Sequence, residues 1–191
     1  MPEFHDYCEV IFWNFERKNN VVYNFNIIEF LIEDAIKSKY QSYYYKPIII
    51  LMMSIIECAL YDFLWRVKQA KIEGISVTAT QKKEIESTNI PNTLQNYVEI
   101  CLKRKLLGSD SSDIYSRLQK HIEYRNRIHI QNRRKYQPDK EYKLWTKHKV
   151  ITTGNLLRDV IIFLCRKYPR PDNFHSNPDM NFFPTPWNNL P

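Results

Sequence analysis

Glycine is nearly absent: the 191 residues hold three, Gly74, Gly108 and Gly154, far from one another. P-loops and dinucleotide-binding turns need clustered glycines so that backbone N–H groups can close on a phosphate, so both are excluded. The strained nucleophile turn Gly-x-Ser-x-Gly is missing too. Cysteine is sparse, and Cys8, Cys58, Cys101 and Cys165 stand more than forty residues apart, which rules out the paired spacing of a zinc site. The last three fall in apolar helical patterns and read as buried thiols of a reducing compartment. No carboxylate cluster of the kind hard cations need stands out, so neither a metal nor another cofactor is expected. The first residues lack the basic start and apolar stretch of a signal peptide, and a cytoplasmic protein is expected.

What is present suits one folded domain with an appendage. The chain is 43% hydrophobic and 26% charged, enough apolar material for a core. Lys and Arg outnumber Asp and Glu by 28 to 21, a net +7, which favours polyanions. Nucleic acid is the leading partner class, with ordinary solubility charge as the alternative. Much of the excess lies between Asn132 and Lys149, where seven cations face two carboxylates and Tyr136, Tyr142 and Trp145 interleave with them. Such a mixture suits a phosphate backbone with bases stacked on rings, or a solvated loop with anchoring aromatics.

Apolar periodicity predicts an all-α bundle of about five helices. After a short packed segment, Lys18-Asn19-Asn20 reads as a turn, and Phe25, Ile28, Leu31, Ile32, Ala35 and Ile36 mark a helix from Tyr23 to Lys39. The 18 residues from Ile48 to Trp65 approach the length of a membrane span, but Glu57 and Asp62 lie inside them, so a buried core helix and no membrane are expected. That helix is expected to start with Pro47 in its first turn and to run to about Ile72, before Gly74. Residues 75–89 fit loop, strand or surface helix. Asn92 reads as the N-cap of a helix reaching Leu107-Gly108. A further helix begins near Asp113, with Ile114, Leu118 and Ile122 on one stripe, and the last runs from Asn155 to Tyr168. The domain is thus expected over 1–168, its core over about 22–168. Residues 169–191 hold six of the ten prolines and read as an irregular arm that docks, through Phe182, Phe183 and Trp187, on its own domain or on a partner.

One constellation carries chemistry. At about 100° per residue from Ile114, Arg125 falls near 20° and His129 near 60°, in the middle of the apolar stripe, while Arg127 falls near 220° on the wetter side. Arg117 and His121 repeat the spacing two turns earlier. In one reading Arg125 pairs with a carboxylate of the long helix, Glu57 or Asp62, and His129 packs. In a second, His129 moves a proton while the Arg125 fork holds a phosphate. A third sets the pair at a symmetric subunit interface.

The string Tyr124-Arg125-Asn126-Arg127-Ile128-His129-Ile130, late in a basic helical chain, resembles the Arg-polar-x-x-x-His region of the HEPN superfamily, with three residues between Arg125 and His129, fewer than the family's usual number. The resemblance implies a HEPN-like bundle, a homodimer, and a metal-independent endoribonuclease with a composite cleft and no cofactor. It implies Arg125 as the phosphate-contacting arginine, Asn126 as the neighbouring polar residue, His129 as the group acting on the ribose 2′-OH, and Glu57 as an acidic residue set against the arginine. Arg127, Arg133, Arg134 and Lys135 would contact RNA. A toxin or defence role would add a cognate antitoxin or regulatory protein as partner. A non-catalytic binding or dimerisation module is the alternative.

Overall fold

The computed structural model describes residues 17–68, 77–87, 93–109, 113–126, 143–168 and 183–191. They form six α-helices, α1 (Lys18–Lys37), α2 (Ser42–Lys68), α3 (Ala79–Glu86), α4 (Leu94–Lys103), α5 (Asp113–Asn126) and α6 (Lys147–Lys167), with a 3₁₀ turn at Pro186–Asn189. No strand occurs among the described residues, so the fold class is all-α, as the periodicity predicts.

Helix α2 is the axis. By length and composition it could cross a membrane, but here it packs against each of the other five helices. Ile48, Ile49, Met52, Met53, Ile55, Ile56, Ala59, Leu60, Phe63, Leu64 and Val67 are all sealed. These residues cover about half of the helix circumference, a broader buried face than a surface helix presents. Pro47 is not in its first turn. The helix starts at Ser42, so Tyr43-Tyr44-Tyr45 belongs to its opening turn, begun by bonds from Tyr43 N to Tyr40 O and Tyr44 N to Gln41 O. Pro47 forgoes one backbone bond at this end, and burial of Tyr45, Ile48 and Ile49 around it holds the helix together.

Other boundaries differ from expectation for local reasons. Lys18-Asn19-Asn20 is helical, not a turn, because Val21, Val22 and Phe25 extend the apolar face of α1 toward its start. Thr93, not Asn92, caps α4, its hydroxyl accepting from Asn96 N. That helix ends at Lys103, short of Leu107-Gly108. Lys105 takes a positive φ of 55°, and Leu106 N reaches back to Cys101 O at 2.9 Å in a Schellman-like closure. The Tyr115 hydroxyl then receives Leu107 N and donates to Cys101 O, while the Tyr168 hydroxyl donates to Leu106 O. Within 75–89, α3 forms on a capping box between Thr78 and Gln81 and buries Ile85. Gly74 lies outside the described residues.

Helix α6 begins at Lys147 rather than Asn155, capped by Thr146. Its early start places Gly154 inside the helix, where the Trp187 indole lies so close that a methyl group on Gly154 would overlap it. Trp187 is fully sealed, donates from Nε1 to Asn155 Oδ1, and meets Phe25 of α1; Phe183 meets the same ring edge-on. The end of the arm therefore docks on its own domain, between α1 and α6. Phe182 lies outside the described residues.

Candidate functional site

The site begins with a bond between distant parts of the chain. Arg125, in the last turn of α5, sends Nη2 to both oxygens of Glu57 in the middle of α2, at 2.9 and 3.2 Å. Because α5 buries Leu118 and Ile122 against the core, its wheel carries Arg125 round to the α2 side. The pair is only part-sealed, the side chains being 34% and 19% exposed. A guanidinium has five N–H donors, and Nη2 accounts for two. Among the described residues the donors on Nε and Nη1 have no partner. Asn126, the last residue of α5, is half-buried beside it.

Of the two carboxylates read as partners for Arg125, Glu57 takes the role. Asp62 instead accepts from Arg66 Nε at 3.1 Å, one turn along α2, in a pair that is 2% and 4% exposed. His129, Arg127, Arg133, Arg134 and Lys135 lie outside the described residues, as do Tyr136 and Tyr142. Trp145 is a buried anchor, with Lys46 over its ring, so it is not a free stacking surface.

The earlier Arg-x-x-x-His pair shows what this spacing does on the same helix. Arg117 bonds Asp159 of α6 at 2.7 Å. His121 is 4% exposed, and its Nδ1 lies 2.7 Å from the Arg117 carbonyl. A carbonyl only accepts, so Nδ1 carries the proton and Nε2 is left as a buried acceptor with no partner among the described residues. Burial pushes the His121 pKa down, the carbonyl bond opposes this, and Arg117, Lys120 and Lys149 add to the lowering. His121 is therefore a neutral packing residue, set edge-on to Tyr124.

Sequence reasoning missed the surface beside Glu57. A cleft of about 320 Å³ opens there, lined by Arg17, Ser54, Glu57, Cys58, Tyr61 and Tyr97. Ser54, Glu57 or Cys58, and Tyr61 recur on one face of α2; Tyr97 comes from α4, and Arg17 from the residue before α1. The guanidinium of Arg17 lies 5.0 Å from the centre of the Tyr61 ring, which meets Tyr97 at 5.7 Å and 49°. The Cys58 thiol is pushed up by burial and by Asp62 and Glu57, against the pull of Arg17, so it stays protonated near neutral pH. Burial, then Glu57 and Tyr61, likewise push up the Tyr97 phenol, again against Arg17. Among the described residues no group of three His, Cys, Asp or Glu side chains is placed to hold a metal ion.

Comparison of the chain with family models, with curated proteins and with solved structures finds no match.

Proposed function

We propose that this chain is a HEPN-like, RNA-directed protein acting as a homodimeric, metal-independent endoribonuclease. The observation that carries the reading is the Glu57–Arg125 pair: an arginine fixed by a carboxylate from an earlier helix, part-open, with the donors on Nε and Nη1 unspent among the described residues. Those donors suit a phosphate oxygen. In the reaction, His129 removes the ribose 2′-OH proton and the 2′-oxygen attacks the adjacent phosphorus. The bond to the 5′-oxygen breaks, that oxygen takes a proton from water, and Arg125 stabilises the charge that builds on the phosphoryl oxygens. The products are a 2′,3′-cyclic phosphate and a 5′-hydroxyl. The resemblance also suggests a toxin or defence setting with a cognate antitoxin or regulatory protein.

A second reading is a non-catalytic binding or dimerisation module. It is favoured by Glu57 engaging Arg125 through both carboxylate oxygens, an arrangement that also serves to tie α5 to α2. The test is cleavage of end-labelled, mixed-sequence RNA in EDTA by the wild type and by Arg125→Ala and His129→Ala, each checked for folding. Cyclic-phosphate ends from the wild type, lost in both folded variants, support the nuclease. Intact RNA with the wild type, together with a lost dimer or lowered thermal midpoint in the variants, supports the scaffold.

A further inference from the structure

The cleft beside Glu57 has the wrong chemistry for covalent catalysis and the right chemistry for a flat aromatic ligand. Its thiol, Cys58, is held protonated by burial. Its serine, Ser54, donates to the Ile50 carbonyl at 2.9 Å, and among the described residues no histidine lines the wall. What remains is two phenol rings and a cation. Among the described residues the side chain of Arg17 makes no ion pair, and it rests on the Tyr61 ring. Among the described residues the hydroxyls of Tyr61 and Tyr97 have no partner, and the two rings are tilted rather than stacked, so Tyr97 does not cap Tyr61 face to face. At about 320 Å³ the cleft is at the small end of ligand pockets, too small for a duplex.

We infer that this cleft is a base-binding subsite, in which one unstacked base of a single-stranded RNA lies on Tyr61 beneath Arg17 while the adjoining phosphate faces the open donors of Arg125. The inference rests on the RNA-directed reading above and adds where the strand is gripped. Stacking on a phenol ring needs a base already free of its neighbours, which single strands supply and A-form helices do not. Arg17 is exposed and precedes α1, so it can lift to admit a base and close on its far face. Glu57 is already engaged by Arg125 through both oxygens, so the grip rests chiefly on stacking and is tolerant of sequence. The shared chemistry, a base joined to a phosphate, also describes a free nucleotide.

The test uses a fluorescently labelled 2′-O-methyl RNA strand, which cannot undergo 2′-OH attack, and reads its affinity for the full chain by anisotropy. Tyr61→Leu is expected to weaken binding about ten- to a hundredfold, the size of one base–ring stack, and Tyr61→Phe to retain it. Arg17→Gln, at an exposed position that leaves the fold intact, is expected to weaken binding about threefold or more. A duplex of the same sequence should compete poorly. Competition by AMP and UMP, lost in Tyr61→Leu, would support the subsite with a free nucleotide as the source; competition by the strand alone would support it with RNA as the source. Wild-type affinity in both Tyr61→Leu and Arg17→Gln would overturn the subsite, even if unmodified RNA is still cleaved. Binding that depends on Tyr61, with unmodified RNA left intact, would overturn the nuclease reading and keep the subsite.

Discussion

Glu57 and Asp62 stand little more than a turn apart on α2, and each holds an arginine, yet the two pairs live in different solvents. Asp62 and Arg66 are sealed at 2% and 4% exposure, within one helix. Glu57 and Arg125 join two helices and stay 19% and 34% exposed. A sealed pair cannot exchange its partner, because either charge alone would be left in a medium that does not solvate it. An open pair loses little when water or a phosphate replaces one contact. Burial, more than pairing, therefore separates the charge that belongs to the fold from the charge that a ligand can reach.

The contrast breaks hardest at the sealed end. Arg66→Met should cost about 3–5 kcal/mol in urea unfolding, since it removes the guanidinium that neutralises the buried Asp62 carboxylate, and adding Asp62→Leu should recover much of the loss. A Gly154→Ala change would normally steady a helix, but here it should lower the thermal midpoint by displacing Trp187, whose own loss to Ala should cost about 3–5 kcal/mol. At the open end, Arg125→Met should cost about 1 kcal/mol or less in the same unfolding assay.

The smallest effects are pH dependences. The lowered pKa of His121 means that the unfolded chain takes up a proton which the folded chain refuses. Stability should then fall as pH drops below about 6.5, no more steeply than about 1.4 kcal/mol per pH unit from this group, and His121→Phe should flatten that limb. Cys101 runs the other way. Burial pushes its thiol up to about 12, against the pull of Arg104, so its contribution is whole below the ordinary thiol range and lost as pH rises from there toward 12. Cys101→Ala should remove that alkaline loss in a pH series of thermal melts.

The fold was legible wherever a single helix announces its own face. The apolar run from Ile48 to Trp65 marks α2, and Leu118 with Ile122 marks the buried stripe of α5. The α5 wheel also turns Arg125 toward a carboxylate on α2, but the choice between Glu57 and Asp62 depends on Arg66, a neighbour within α2 that claims Asp62. The signature Thr78-x-x-Gln81 that starts α3 was present and went unread among polar residues. The cleft was illegible for a different reason. Tyr61 and Tyr97 lie in apolar stretches of sequence and look like core, and only packing of α4 and the α1 start against α2 makes them line an opening. The seating of Trp187 over Gly154 likewise joins residues that no local pattern connects.

The central claim, that the open pair serves chemistry and the sealed pair serves the fold, is tested most directly in one preparation of Arg125→Met beside the wild type. Thermal midpoint and release of cyclic-phosphate ends from RNA in EDTA would be measured on the same samples. The account predicts a midpoint within a few degrees of wild type and cleavage reduced at least about a hundredfold. A midpoint lowered as far as in Arg66→Met, with RNA left whole by the wild type, would contradict it.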